Sequence, residues 1–188
     1  MQMEADWEIE IGGDAPVIEA QWSGFVDLQR VPESIQQVAE AALFHPLAQT
    51  LSRLNSQESL VWTSKCDFWP QLASENFDPD ELDAPPGRTA HATGCYIDLL
   101  PKSDQQWITP AMAAASCKTI CTGLHAIPLR CCRLDLIVRR AFITPDLMDN
   151  GITAYLTACG PSPAAATHTL AAALEAFADA LCGHSKLQ

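Results

Sequence analysis

The chain has 188 residues, a formal net charge of -12 and 48% hydrophobic residues. That length and apolar content suffice for one domain with a hydrophobic core, so a single domain over residues 1–188 is expected. The acidic balance disfavours nucleic-acid binding, which needs a basic face, and no apolar run reaches the roughly 18 residues that cross a bilayer. The acidic N-terminal sequence is not typical of a signal peptide, so we expect a cytoplasmic protein with reduced cysteines.

The first third of the chain predicts a hairpin and then a helix. Apolar and acidic residues alternate over 7–11, the turn-forming segment GGDAP follows, and a second extended stretch covers 17–28. Pro32 suits the first turn of a helix, and the helical spacing of apolar residues continues until Pro46 interrupts it.

The middle of the chain predicts two strands, a long loop and a second helix. Residues 59–69 and 90–100 are rich in aromatic and β-branched residues, which favour strands. The acidic loop between them, 70–89, lacks the glycine and the terminal glutamate of an EF-hand, so we expect a solvated loop and no metal. Thr109 and Pro110 have the residue types of a helix cap and first helical position.

The last third predicts two strands and a third helix. The segment RCCRLDLIVRRAF, 130–142, precedes a turn at 146–151 and the strand ITAYLTAC. Ser162 and Pro163 repeat the cap-plus-proline pattern before the final helix, and the tail 183–188 is expected to fray.

These elements predict an α+β fold in the order ββα-ββα-ββα. Short turns between neighbouring strands favour a largely antiparallel sheet of about six strands, with three helices packed on one face. Two architectures fit this order. One is a ferredoxin-like split βαβ core over 17–143, and the other is three ββα units related by pseudo-symmetry.

The strand over 130–142 is the leading functional candidate. It holds four of the eleven basic residues of an acidic chain, at Arg130, Arg133, Arg139 and Arg140. Alternate side chains of a strand share a face, so Arg133, Asp135 and Arg139 are expected to point away from the helices.

Three interpretations of that face remain open. Guanidinium groups bind phosphate and carboxylate well, which favours a small anionic ligand. Alternatively, acids of the chain such as Asp98 pair with the arginines across strands and leave a solvated face. The same face also suits a homodimer interface, because arginine and aromatic side chains are typical anchors there.

A second concentration of polar and aromatic side chains lies in the segment WTSKCDFW, at Trp62, Lys65, Cys66, Asp67 and Trp69. Rings beside a lysine and a carboxylate suit a pocket for a flat ligand, with Trp107 as a neighbour. The competing interpretation is that these tryptophans only fill the core.

The other motifs give no chemistry. Cys117 and Cys121 fall on the apolar stripe of a helix, which favours buried thiols over a metal site. No CxxC pair, glycine-rich phosphate loop or nucleophile elbow is present, so no cofactor is expected.

The sequence therefore predicts a protein that binds a small anionic metabolite, either phosphorylated or carboxylated, and aromatic metabolites belong to this class. It leaves open whether the protein is also an enzyme. The alternative is a homo-oligomeric assembly or accessory module that uses the same sheet face. The predicted ligand-binding residues are Arg133, Arg139, Asp135, Asp98, Lys65 and Trp62.

Overall fold

The computed structural model describes residues 2–86, 90–102, 107–144 and 147–182. The strands of its sheet are β1 (Glu4–Ile9), β2 (Ile18–Glu19), β3 (Val61–Trp69), β4 (His91–Pro101), β5 (Cys132–Thr144) and β6 (Leu147–Gly160). The α-helices are α1 (Ala39–Leu43), α2 (His45–Leu54), α3 (Pro110–Leu124) and α4 (Pro163–Cys182). A 3-10 helix covers Pro32–Gln37, and a single 3-10 turn covers Ser74–Asn76.

The predicted α+β class is confirmed, but the largely antiparallel sheet is wrong. The strand order is β1-β5-β6-β4-β3, and both β1 and β2 pair with β5 in parallel, so the sheet is mixed. The predicted hairpin over 7–28 therefore does not form. Pairing with β5 lets β1 bury Met3 and Ala5 in the core beside α3, which a hairpin with its neighbour would not achieve.

The helix count also differs from the three predicted. The first predicted helix is divided into the 3-10 helix, α1 and α2, because Pro46 cannot continue α1 and instead occupies the first turn of α2. The two cap predictions are confirmed. The Thr109 hydroxyl accepts a hydrogen bond from the backbone N–H of Met112, and the Ser162 hydroxyl accepts one from that of Ala165.

Two ββα units form the centre of the fold. The hairpin β3-β4 is followed by α3, the hairpin β5-β6 is followed by α4, and β4 and β6 pair antiparallel with Tyr96 opposite Tyr155. The described residues therefore contain two ββα units rather than the three predicted, because β1 and β2 do not form a hairpin with each other. A ferredoxin-like core would place β2 between β4 and β5, but β6 occupies that position.

The helices cover one face of the sheet, and we call the opposite side the open face. Along β5 the even-numbered residues from Cys132 to Val138 are buried in the core, whereas the odd-numbered ones are partly exposed. That alternation was predicted from the sequence and is confirmed.

Three predictions lie partly or wholly outside the described residues. They are the frayed tail over 183–188, the end of the acidic loop at 87–89 and residue 146 of the turn predicted at 146–151. The rest of that turn prediction is wrong, because 147–151 belongs to β6 and pairs with β5. Within the described ranges, no helix is both long enough and apolar enough to cross a membrane.

Candidate functional site

Two chain segments cover the ends of the open face. At one end Ile18 and Ala20 pack on Leu100 in a small apolar cluster. At the other end Leu82, from the acidic loop, packs on Ala92. The middle of the face lies between these two clusters and consists of side chains from β3, β4, β5 and β6.

Both predicted strand arginines already have acidic partners within the chain. Nε of Arg133 donates to Oδ1 of Asp135 at 2.8 Å. Arg139 donates to Oε2 of Glu10 from Nη2 at 2.9 Å and from Nε at 3.3 Å. These internal pairs remove the main reason for expecting an external anion, which was an excess of positive charge without a counter-charge.

The two arginines also lie far apart. They are six residues apart on β5, and a strand rises by about 3.3 Å per residue, so their Cα atoms are about 20 Å from each other. A single phosphate or carboxylate group is too small to be clamped by both. Each arginine is therefore a separate local feature of the open face.

Asp98 pairs with neither arginine through a direct bond, because β6 lies between β4 and β5. Its Oδ1 accepts a hydrogen bond of 2.6 Å from the hydroxyl of Thr153. Asp98 is 8% exposed. Burial raises the pKa of Asp98, while the Thr153 hydroxyl and the charge of Arg139 lower it, and burial dominates.

The open face carries more acid than base within the described residues. The basic side chains are Arg133 and Arg139. The carboxylates come from all the long strands and from the residue after β1, and they include Glu4, Asp6, Glu8, Glu10, Asp67, Asp98, Asp135 and Asp149. The local charge thus follows the acidic balance of the whole chain.

A cavity of about 340 Å³ lies at the edge strand β3, beside the open face. Its charged and aromatic lining residues are Trp22, Glu40, Lys65, Asp67 and Tyr96. This volume is within the range of small-molecule sites. Lys65, Cys66 and Asp67 of the WTSKCDFW segment line it, as the pocket hypothesis for that segment expected.

Trp22 forms one wall of this cavity. Its indole Nε1 donates to the backbone oxygen of Ser64 at 3.5 Å, and the Lys65 ammonium lies 5.4 Å from the ring centroid. A Cβ on Gly24 would be 2.1 Å from Cζ3 of Trp22, so only a glycine at position 24 leaves room for the Trp22 ring. The pairing of β3 with β4 is irregular between Thr63 and Cys66, at the place where Lys65 turns toward the ring.

The charge around Cys66 is negative. Burial, followed by the carboxylates of Glu40, Asp67 and Asp98 in that order, raises the pKa of Cys66 to about 12. The Cys66 thiol is therefore protonated at neutral pH, which disfavours thiolate chemistry in the cavity.

A row of aromatic rings connects the cavity to the middle of the open face. The ring centroids of Trp69 and Tyr96 are 5.8 Å apart, and those of Tyr96 and Tyr155 are 5.7 Å apart. Arg139 extends the row, since its guanidinium carbon lies 5.9 Å from the Tyr155 ring centroid. The row gives flat apolar surface next to the carboxylates.

Two of the predicted residues have structural roles instead. The Trp62 indole donates to the backbone oxygen of Pro101 at 3.2 Å, and its ring packs against Phe25 near the covered end. Trp107 is 5% exposed and donates to the Ser116 hydroxyl at 3.0 Å, beside α3 rather than beside the cavity. Trp107 therefore fills the core, whereas Trp62 is half-buried and lines a separate cavity of about 230 Å³ at the covered end of the face.

Sequence reasoning missed three residues of the cavity. Trp22 and Glu40 come from the poorly periodic segment before α2, and Tyr96 was treated only as part of a strand. In the sequence, the only hint that the Trp22 ring folds back over the chain is the glycine two positions later, Gly24.

A larger groove of about 990 Å³ lies between α2 and α4. Among the described residues that line it there is no Trp, Tyr or Phe. Its arginine, Arg53, is bound to Asp179 at 2.6 Å. The smaller cavity has both the rings and the converging charges that a specific site needs.

Across the described ranges, no three His, Cys, Asp or Glu side chains lie in an arrangement that could hold a metal ion. No protein-family model matches the chain, and no curated protein or solved structure matches it either.

Proposed function

We propose that the cavity beside β3 binds a small flat molecule that carries positive charge or several N–H donors. The observation that carries this proposal is the joint presence of the Glu40 and Asp67 carboxylates and the Trp22 and Tyr96 rings around one cavity of about 340 Å³. Carboxylates and aromatic faces are the two groups that proteins use to hold organic cations.

The electrostatic surroundings support a cationic ligand. Glu40, Asp67 and Asp98 act together on Cys66, so all three lie close enough to act on a ligand beside it. Lys65 is the one lining residue with a permanent positive charge, and it is exposed and stacked on Trp22. A net charge of -12 further attracts cations and repels anions over long range.

An anionic ligand at Arg133 or Arg139 is a separate proposal and ranks second. Such a ligand must displace Asp135 from the first arginine or Glu10 from the second. The displaced carboxylate would then repel the ligand, so replacing the internal carboxylate by the ligand lowers the free energy only a little.

A pair of probes with one ring and opposite charges tests the sign of the proposed ligand. Benzamidinium and benzoate differ chiefly in the charge of their substituent. Ligand-observed NMR at millimolar probe concentration is expected to show benzamidinium binding and little benzoate binding. Protein-observed NMR is expected to show that benzamidinium perturbs the indole N–H signal of Trp22. Benzoate binding equal to or stronger than that of benzamidinium would contradict the proposal.

Variants assign the binding to the cavity. Glu40→Gln and Asp67→Asn each remove one charge at similar size, and each is expected to weaken benzamidinium binding by about tenfold, which corresponds to ~1.4 kcal/mol. Asp14→Asn is the matched control, because Asp14 is an exposed carboxylate that does not line the cavity. An equal effect of all three substitutions would point to net charge rather than to a site.

Homo-oligomeric assembly through the open face is the remaining candidate. Most of the large exposed apolar side chains of the described residues argue for a different surface, because they lie at β1, at the start of α3 and at the β5-β6 turn. These are Trp7, Ile9, Ile108, Met112, Phe142, Leu147 and Met148, and the others, Val17, Val31 and Leu43, lie in the segments before β2 and before α2. We therefore rank open-face assembly lowest. Light scattering after size exclusion tests this ranking, and a dimer that Tyr155→Glu converts to a monomer would reverse it.

The expected location is the cytoplasm. The eight cysteines are all free thiols, as a reducing compartment would keep them.

A further inference from the structure

Two cysteines face each other at the end of the β5-β6 ladder. Cys132 lies opposite Ala158 in this antiparallel pair, so the next position places Cys131 opposite Cys159. The backbone N–H of Cys159 donates to the backbone oxygen of Cys131 at 2.8 Å, which continues the ladder by one step.

The geometry of this pair suits a disulfide. The hydrogen bond of 2.8 Å between them limits the separation of their Cα atoms to about 6.7 Å, within the range of about 4.4 to 6.8 Å that a disulfide spans. Both sulfurs point to the same place. Sγ of Cys131 lies 3.7 Å from the backbone oxygen of Asp83, and Sγ of Cys159 lies 3.9 Å from that of Leu82.

Backbone strain is concentrated at the same contact. Cys131 has φ of 61° and Asp83 has φ of 60°, and these are the only non-glycine residues with positive φ in the part of the chain that the structure describes. This left-handed conformation is unfavourable for residues other than glycine. The strained backbone of Cys131 holds its sulfur beneath the acidic loop, beside that of Cys159.

We infer that Cys131 and Cys159 are a redox-sensitive pair that forms a reversible disulfide with a low-molecular-weight disulfide such as oxidised glutathione. Both cysteines line a cavity of about 160 Å³, and Cys131 is the accessible member because it is only half-buried. Cys159 is 1% exposed and forms the disulfide from the buried side.

The chemistry takes two exchange steps. The deprotonated Cys131 sulfur attacks one sulfur of oxidised glutathione, breaks its S–S bond and releases one glutathione thiolate, leaving glutathione bound to Cys131. The Cys159 sulfur then attacks Sγ of Cys131 and releases the second glutathione. Two electrons pass from the cysteine sulfurs to glutathione, and the two protons lost by the cysteines end on the two released thiols.

The raised pKa of the buried member sets the order of the two steps. Burial, followed by the neighbouring Cys131, raises the pKa of Cys159 to about 11, so Cys159 is a protonated thiol in the resting protein. Exchange is therefore expected to start at Cys131.

Oxidation of the intact chain tests the inference directly. Native protein is incubated with excess oxidised glutathione, alkylated, and examined by intact mass and peptide mapping. The expected product has lost two hydrogen atoms, carries no glutathione, and yields one peptide pair joined through Cys131 and Cys159. Reduced glutathione in excess is expected to reverse it. A disulfide between other cysteines, or no disulfide, would overturn the inference.

Single cysteine variants separate the roles of Cys131 and Cys159, and their result does not depend on peptide mapping of the wild-type disulfide. Cys159→Ser is expected to accumulate glutathione on Cys131, whereas Cys131→Ser is expected to take up neither glutathione at Cys159 nor a crosslink. Cys182→Ser is the control, since Cys182 is also partly exposed and should leave the crosslink unchanged. The inference does not depend on the proposed ligand, because its readout is covalent.

Discussion

Asp98 shows how a single buried carboxyl group can make stability depend on pH. Its pKa is raised above the ordinary value of 3.8 by burial, despite the hydrogen bond from Thr153 and the nearby charge of Arg139. Between the unfolded and the folded pKa the native state binds more protons than the unfolded state. Stability therefore falls as the pH rises through that window.

We predict that Asp98→Asn stabilises the protein at neutral pH. Asparagine keeps an oxygen that can accept from the Thr153 hydroxyl, and it removes the buried charge. Thermal unfolding is expected to show a higher Tm for the variant at neutral pH and a difference that shrinks as the pH approaches 3.8. A difference of the same size at both pH values would show that burial of the charge is not its cause.

Arg139 and Arg133 are a matched pair of strand arginines with different burial. The Arg139 side chain is 13% exposed and that of Arg133 is 32% exposed. We predict that Arg139→Met lowers the free energy of unfolding by about 1.5 kcal/mol, because it removes charge-assisted hydrogen bonds in a partly dehydrated site. Arg133→Met should cost less than ~0.5 kcal/mol, as is usual for a surface pair. Urea unfolding measures both, and equal losses would contradict the ranking.

At the level of elements, the junction between β6 and α4 depends on Gly160. A Cβ there would lie 2.7 Å from the backbone nitrogen of Ala166 and 2.9 Å from the carbonyl carbon of Ala165. Backbone atoms of a helix cannot give way as a flexible side chain can. The strand can thus approach the first turn of the helix only without a side chain at this position.

We predict that Gly160→Ala lowers the free energy of unfolding by about 2 kcal/mol through this overlap. Gly123→Ala is the control, because a Cβ at Gly123 in α3 would meet no atom within 4 Å, and it should stabilise the helix by about 0.5 to 1 kcal/mol. Chemical denaturation of both variants checks the opposite signs. Destabilisation by both would mean that alanine is disfavoured for another reason.

For the whole molecule, self-repulsion is the main consequence of the net charge of -12. Acidic side chains of β1 add to it on the open face, where Asp6 lies opposite Asp135. Salt shortens the range of such repulsion from about 10 Å at 0.1 M to about 3 Å at 1 M. The folded state is more compact than the unfolded chain and gains more from this screening.

We predict that the Tm rises with sodium chloride concentration, and that Asp6→Asn raises the Tm at low salt and reduces this salt dependence. Differential scanning fluorimetry across a salt series is the measurement. A Tm that falls with salt would show that attractive pairs such as Arg139 with Glu10 outweigh the net repulsion.

Local patterns in the sequence determined several elements correctly. The strands at β3, β4, β5 and β6, the capped starts of α3 and α4, and the alternation along β5 all follow from residue periodicity and cap chemistry. Of the WTSKCDFW segment, Lys65, Cys66 and Asp67 line the cavity, whereas its tryptophans Trp62 and Trp69 do not, and binding of a flat ligand there stays a prediction.

Only the tertiary structure decided which distant segments meet. The parallel pairing of β1 with β5 brings Glu10 to Arg139, and the segment before α2 brings Trp22 and Glu40 to β3. A periodic pattern records which face of an element is buried, but many partners can bury the same face. The choice among them depends on packing of the whole core, which no short stretch of sequence contains.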